Sequence, residues 1–329
     1  MTAPAAARAA WLGWLVQGLL VAAVLGGAAW TVDHALEVLR ARGVRSGFDF
    51  LGQPAGFGIG EGWLDFDAGQ PLWRAFLAGL VNTVRAAVPA ALLAVLLGTL
   101  LGIGRLAPHV LVRGLCTAYV EAVRNVPLLV QMLMLYFALT QLLPESAEAI
   151  ALAPGVWLGK DGLSMPWPVA GEGGWHLDWP ERGPFNVSGG AALSPEYLAV
   201  VLALALYTAA FVAEIVRAGI GSVSAGQKLA AKAMGLSPWQ QLRTVVLPQA
   251  LRVIVPALTN QLLSLVKNSS LAVAVGYPEL VSITNTSLNS TGRAFECIAI
   301  LMVIYLLLSL LISAAMNRYN ARVALRGWQ

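Results

Sequence analysis

With 329 residues, 58% hydrophobic and 12% charged, the chain carries about half the charge of an ordinary soluble domain, which is a membrane composition. A formal net charge of +4 raises nucleic acid as a partner, but the basic residues are spread along the chain without an aromatic-basic binding motif, so none is expected. Two cysteines, Cys116 and Cys297, both sit in apolar runs and read as small hydrophobic packers; neither a structural disulfide nor a metal site is indicated.

Residues 11–32 contain no charge and supply about the twenty apolar residues that a bilayer needs. Arg8 precedes the run and Gly27-Ala28-Ala29 could pass for a cleavage site, so a signal peptide is the rival reading. The run is long for a signal core and continues into helix-like sequence through Arg45, which favours an uncleaved span with its extension over 1–45. Residues 46–74 are dense in glycine and interspersed with aromatics. That composition rules out a long helix and argues against a free linker, and predicts a loop or short hairpin packed on the outer surface. Gly56-Phe-Gly-Ile-Gly60 has the wrong spacing for dinucleotide binding.

A second span runs from Leu77 to Leu106 and holds Asn82, Thr83, Arg85 and a Gly98-Thr-Leu-Leu-Gly102 step. Small residues four apart allow helices to approach closely in lipid. A third span covers about 115–143 and contains Glu121, Arg124, Pro127 and Gln131. An insertion over 144–193 is rich in Pro, Gly and Trp, and tryptophan suits an external loop lying along the lipid headgroups. The fourth span is about 195–220. A fifth hydrophobic segment, about 251–276, is read as broken by Pro256. An external stretch, 277–293, leads to the sixth span, about 295–316, and a tail over 321–329. The fold class is therefore all-α, a polytopic membrane protein with about six transmembrane helices.

Between the fourth and fifth spans, 221–247 is polar. Residues 227–234 are good helix formers, Gly235 can take the left-handed conformation that closes a helix, and Ser237-Pro238 with Gln240 forms a capping-box start for another. Arg217, Lys228, Lys232, Arg243 and Arg252 surround it, with Glu214 as the one acid. This reads as a capped, basic knob held out on the cytoplasmic side for a partner. The charge pattern agrees in sign: the proposed cytoplasmic segments hold 12 of the 21 Lys and Arg, the external ones seven, and Arg85 and Lys267 lie within spans. The Arg40–Arg45 cluster is the weak point of that topology.

Ionisable groups within a bilayer are costly and need a reason. Glu121 with Arg124, and Glu214 with Arg217, are spaced for intrahelical ion pairs or a gate. Lys267, beside Asn268, Ser269 and Ser270, would seek a carboxylate or line a wet cavity. Such a cluster could meet the carboxylate of an amino acid, with Glu121 or Glu214 answering its ammonium. The alternative is a permanent Lys267–glutamate pair. His34, His109 and His176 lie in separate loops, no serine has a His/Asp partner, and no Gly-x-x-x-x-Gly-Lys-Ser/Thr loop is present. The chain is not expected to be an enzyme, to hold a cofactor or to bind ATP itself.

The knob resembles the cytoplasmic EAA loop of bacterial ABC-importer permeases of the polar amino-acid subgroup, through Gly226, Gln227, Ala230, Ala231, Ala233, Gly235, Leu236, Ser237 and Leu247-Pro-Gln-Ala-Leu251. That family usually has Glu where this chain has Leu229. Gly79–Arg85, Tyr119–Gln131, Ala213–Gly219, Leu265–Leu271 and Gly276–Leu280 resemble the same permeases, so the likeness covers roughly 75–320. The first span, 47–57 and the Trp/Pro insertion are similar to a narrower group, the permeases of general L-amino-acid uptake systems. The resemblance implies a type I importer fold in the bacterial inner membrane. It also implies a second permease, a pair of ATPase subunits that use the ATP, and a periplasmic amino-acid-binding protein. It assigns ATPase coupling to Gly226, Gln227, Ala230, Ala231, Gly235, Leu236 and Ser237, to which the knob's basic face adds Lys232. Candidate path or gate residues are Asn82, Glu121, Arg124, Glu214, Lys267, Asn268 and Ser269. The readings from other classes are a proton- or sodium-driven secondary transporter and a non-transporting membrane anchor or receptor.

Overall fold

The computed structural model describes residues 3–41, 47–171 and 174–325. Arg42 and Arg45, expected on the extension of the first helix, and Arg326 of the tail lie outside them. Helix α1 (Ala3–Ala41) runs unbroken through Gly27-Ala28-Ala29, and its apolar residues 13–31 are exposed. A strap over 47–71 follows, with one 3-10 turn (Asp49–Gly52) and isolated bridges Pro54–Pro71 and Ile59–Phe66. Its Phe50, Ala55 and Phe66 are buried with Leu72, Ala75, Phe76 and Leu280, so the predicted packed loop has an apolar root.

Two long helices form the centre of the bundle: α2 (Leu72–Gly104) and α5 (Pro195–Gly221). The buried face of α2 is a stripe of small residues, Ala75, Gly79, Ala86, Ala90, Ala94, Gly98 and Gly102, at the three- and four-residue spacing of one helix side. A Cβ at Gly98 would fall 2.5 Å from Val212 Cβ and 2.8 Å from the Ala209 carbonyl, and one at Gly102 would fall 2.7 Å from the Ala213 carbonyl. The predicted close approach is present, and α5 is what approaches.

The third span differs from its prediction. It is two helices, α3 (Val110–Asn125) and α4 (Leu128–Phe137, continued as a π turn to Leu142), bent by 102° at the break. Pro127 is the cause, since it excludes the helical conformation at Val126, which sits extended at φ −103°, ψ 129°. Among the described residues, five helices are long and apolar enough to cross a membrane, or six if this bent pair is one span.

The 144–193 insertion is not irregular. It builds a four-stranded antiparallel sheet from β1 (Ile150–Ala153), β2 (Val156–Gly159), β3 (Gly162–Met165) and β8 (Ala191–Leu193). Two hairpins stand between: β4 (Trp167–Gly171) with β5 (Gly174–Asp178), and β6 (Glu181–Arg182) with β7 (Val187–Ser188). Strands this short carry little periodic signal, and their turn glycines (Gly155, Gly162, Gly174, Gly189, Gly190, all at positive φ) dominated the composition.

After the knob helices α6 (Ala225–Ala233) and α7 (Pro238–Gln241), a π turn (Leu242–Val246) leads into α8 (Leu247–Asn268). Pro256 does not break α8, contrary to the sequence reading. The helix tightens only at Ser269 into a 3-10 segment, Ser269–Val275, closed by Gly276 at φ 83°. Inside membrane bundles, helix-breaking proline is tolerated because neighbours satisfy the freed backbone group. The stretch expected as external loop contains another helix, α9 (Leu280–Thr291). Glu279 caps its start and Gly292 at φ 70° ends it. Helix α10 (Ala294–Leu325) is the last of the described elements.

Candidate translocation path and coupling knob

The knob forms as its residues dictate. Ser224 accepts from the Gln227 N–H, α6 stops at Ala233, and Gly235 takes φ 76°. Ser237 then accepts from the Gln240 N–H at 3.4 Å, while the Gln240 side chain accepts from the Ser237 N–H at 2.8 Å, with Pro238 at the first helical position. Ala231 is buried, whereas Gly226, Gln227, Ala230, Lys232, Gly235 and Ser237 are exposed and Leu236 is half-buried. Large apolar side chains also stand in the open here: Leu229, Met234 and Trp239 are each at least 66% exposed. A capped structure carrying both cations and bare apolar groups has the chemistry of a protein-docking surface.

The candidate path residues do not converge. Glu121 and Arg124 make no ion pair with each other; Glu121 is exposed and the Arg124 guanidinium lies 5.2 Å from the Phe211 ring centre. Glu214 is held by Arg217 as the spacing suggested, and also by Arg105 from the end of α2. With two guanidinium partners, Glu214 is committed to an inner-end network and is not free to meet a substrate ammonium. Ser269 is buried and donates to the Val266 carbonyl at 2.7 Å, Asn268 is half-buried, and Lys267 points out of the chain. Among the described residues no carboxylate pairs with Lys267, so the permanent-pair alternative is not found. Lys267 instead shares an exposed face with Asn260 and Ser264, at intervals of four and three along α8. That is a polar stripe on one side of a membrane helix.

Asn82 is buried at the outer end of the bundle. Its Nδ2 donates to the carbonyls of Glu61 (2.9 Å) and Pro278 (3.0 Å), and its own carbonyl accepts from the Tyr277 hydroxyl at 3.1 Å. Arg85, one turn further in and 8% exposed, pairs with the Glu61 carboxylate at 3.2 Å and stacks 4.5 Å over the Tyr197 ring. The sequence reading named Asn82 but missed Glu61 and Arg85 as partners, because 24 positions separate them and only the folded strap brings them together. It also missed Glu279. This carboxylate is fully buried, accepts from the Val281 and Ser282 N–H groups at 2.8 Å each, and is pushed up to about 7 by burial.

Comparison with known proteins gives the geometry its context. Residues 94–325 match the family described as binding-protein-dependent transport system inner membrane component. The chain is 37% identical to the general L-amino acid transport system permease protein AapQ of Rhizobium johnstonii over 364 aligned positions, covering 93% of this chain and 91% of that protein. It is 33% identical to the glutamate/glutamine/aspartate/asparagine transport system permease protein BztB of Rhodobacter capsulatus, covering 94% and 93%. Identity to the glutamate/aspartate import permease protein GltJ of Escherichia coli K12 is 34%, over 76% of this chain and 87% of that one. Among solved structures, an amino acid ABC transporter with histidines superimposes with a TM-score of 0.56 at 26% identity, covering 76% of this chain and 94% of that one. An inward-facing form of the MetNI methionine ABC transporter shares the fold at 19% identity and a TM-score of 0.53, covering 77% and 97%. These matches support an ATP-driven importer over the gradient-driven carrier and the non-transporting anchor. The chain belongs to the family of binding-protein-dependent transport system inner membrane components, and it is a multi-pass protein of the bacterial inner membrane.

Proposed function

We propose that this chain is the permease subunit through which an ATP-driven importer carries L-amino acids across the inner membrane. The knob is the observation that carries this reading. A pair of short capped helices, basic and partly apolar on its exposed side, interrupts the bundle between α5 and α8. Its geometry suits a rigid lever rather than a linker, since the glycine turn and the capping box leave little freedom between α6 and α7. ATPase subunits grip it through Gly226, Gln227, Ala230, Lys232, Gly235, Leu236 and Ser237, with Ala231 buried beneath them, and supply the nucleotide chemistry; the chain itself needs no cofactor. Leu229, at the family's usual Glu position, is 66% exposed and makes an apolar contact there in place of a salt bridge.

A second permease covers the Asn260–Ser264–Lys267 face, and substrate passes along it. A lysine on a membrane helix cannot face hydrocarbon cheaply, because an unpaired charge within a bilayer costs up to about 3 kcal/mol on insertion scales. A loaded binding protein docks outside on the strap, the β insertion and α9. Closure of the ATPases then shifts the bundle between outward- and inward-facing states, by preferring one of them.

Cysteine cross-linking tests the lever. A cysteine at Lys232 should cross-link to a nucleotide-hydrolysing subunit from the cytoplasmic side, and uptake by the intact system should require ATP. Reaction of that cysteine with a membrane-impermeant reagent added from the periplasm would reverse the topology and remove the proposal.

A further inference from the structure

A polar knot at the tip of the strap ties the outer end of the bundle. Glu61 reaches α2 and the start of α5 directly. Its carboxylate pairs with Arg85 of α2 at 3.2 Å and accepts from the Ser194 hydroxyl, the N-cap of α5, at 2.6 Å. Its carbonyl accepts from Asn82, whose amide also holds Pro278 in the connection to α9. The knot continues inward: the Tyr197 hydroxyl donates to the Arg85 carbonyl at 3.1 Å, and the Tyr277 hydroxyl to that of Asn82. Thus the Glu61 side chain joins α2 to α5 at the mouth, and Asn82, which holds the Glu61 backbone carbonyl, extends the knot to the α8–α9 connection.

The two ends of the strap differ in kind. Its root is apolar, with Phe50, Ala55 and Phe66 in a shared core with α2, α9 and α10, and it is clamped by Arg293 to Asp49. Its tip, residues 60–65, has no buried apolar side chain. There Glu61 remains 22% exposed and Trp63 is 70% exposed. An apolar root is expensive to undo, whereas an ion pair and its hydrogen bonds can be exchanged for other partners, provided that Arg85, 8% exposed, meets another acceptor when Glu61 leaves. The glycines on either side of Glu61 let the tip swing without disturbing the root. Gly62 is also the close-approach point: a Cβ there would lie 2.8 Å from Asn82 Oδ1.

We infer that Glu61 and Arg85 are gating residues of transport. The strap tip is a latch that holds the periplasmic mouth shut and must let go of Arg85 and Ser194 in each cycle. This rests on the importer reading, in which the bundle moves between outward- and inward-facing states. It assigns to the strap a role that docking alone does not require.

A reversible lock tests it. The Cγ of Asn82 lies 3.4 Å from the Cβ position of residue 62, within reach of a disulfide. The pair Gly62→Cys with Asn82→Cys, in a background carrying Cys116→Ala and Cys297→Ala, is placed in the complete transport system in membrane vesicles. ATP-dependent amino-acid uptake is compared in the same vesicles before and after reduction. The latch predicts that oxidation slows uptake by about tenfold or more and that reductant restores it. Equal rates in the two states would make the strap a fixed staple and overturn the inference. Should the reduced pair be inactive, Glu61→Gln decides. The latch predicts a several-fold rise in ATPase activity without added binding protein, and unchanged ATPase activity refutes it. ATP-independent uptake by the wild-type system would sink the importer reading instead, leaving the effect of the lock still measurable.

Discussion

Glu279 shows how one residue can work against itself. Two backbone N–H groups and the Tyr305 hydroxyl favour its carboxylate, yet full burial outweighs them and lifts the group to about 7. The folded protein therefore keeps a proton that the unfolded chain, with a carboxyl near 4.5, has already released between pH 4.5 and 7. Stability from this site is fully present below about pH 4.5 and is lost as the pH rises through 7, a span worth about 3 kcal/mol by linkage. The melting temperature of detergent-solubilised protein should fall between pH 5 and pH 8, and Glu279→Gln should flatten that difference. A wild-type profile that rises over this interval would contradict the assignment. No local pattern in the sequence marked this group as buried. Tyr-Pro-Glu-Leu does look like a helix start in hindsight, with an acid at the N-cap, but burial is set by α10 crossing behind it through Tyr305.

The pairing of α2 with α5 was half visible at the level of elements. Gly98 and Gly102 announced that some helix would come close, since in lipid there is little to draw helices together except contact at short range. The partner could be known only from the fold, where Val212, Ala209 and Ala213 of α5 fill the space above them. Gly98→Val should therefore force the two backbones apart, costing about 1–3 kcal/mol or more and lowering the melting temperature. Gly114→Ala, with nothing within 4 Å of the added atom, should leave it unchanged or raise it slightly. Equal melting of the two variants would mean that α2 and α5 are not packed at Gly98. The knob was the most legible element of all, because its helix stop, turn and restart are local devices: Gly235, Ser237, Pro238 and Gln240 each act on backbone within a few residues. The kink at Pro127 shares that local origin, and its 102° size does not, since proline opens a bend whose angle is chosen by what packs on either side.

One chain leaves a surface that lipid cannot cover. The Asn260–Ser264–Lys267 stripe is exposed while the rest of the exposed membrane surface is dominated by Leu, Val, Met and Phe, including Leu92, Leu96, Leu100, Met302, Leu306 and Leu310. This asymmetry supports assembly with a second permease around a polar path, and it gives Lys267 a testable part. Lys267→Met should reduce uptake by about tenfold or more at unchanged abundance in the membrane, because the path loses the Lys267 cation. Wild-type uptake by a normally expressed Lys267→Met system would place the lysine outside the path. The amino-acid sequence by itself determined the membrane class, five of the spans, the knob and its caps, because hydropathy and capping act over lengths of one helix or less. Tertiary structure alone decided which charges pair, that Glu214 is claimed by Arg105, that Lys267 is left open and that Glu61 reaches Arg85. Those outcomes depend on how distant segments are superposed in space, and a Coulomb or hydrogen-bond contact carries no trace in either segment until the two are brought together.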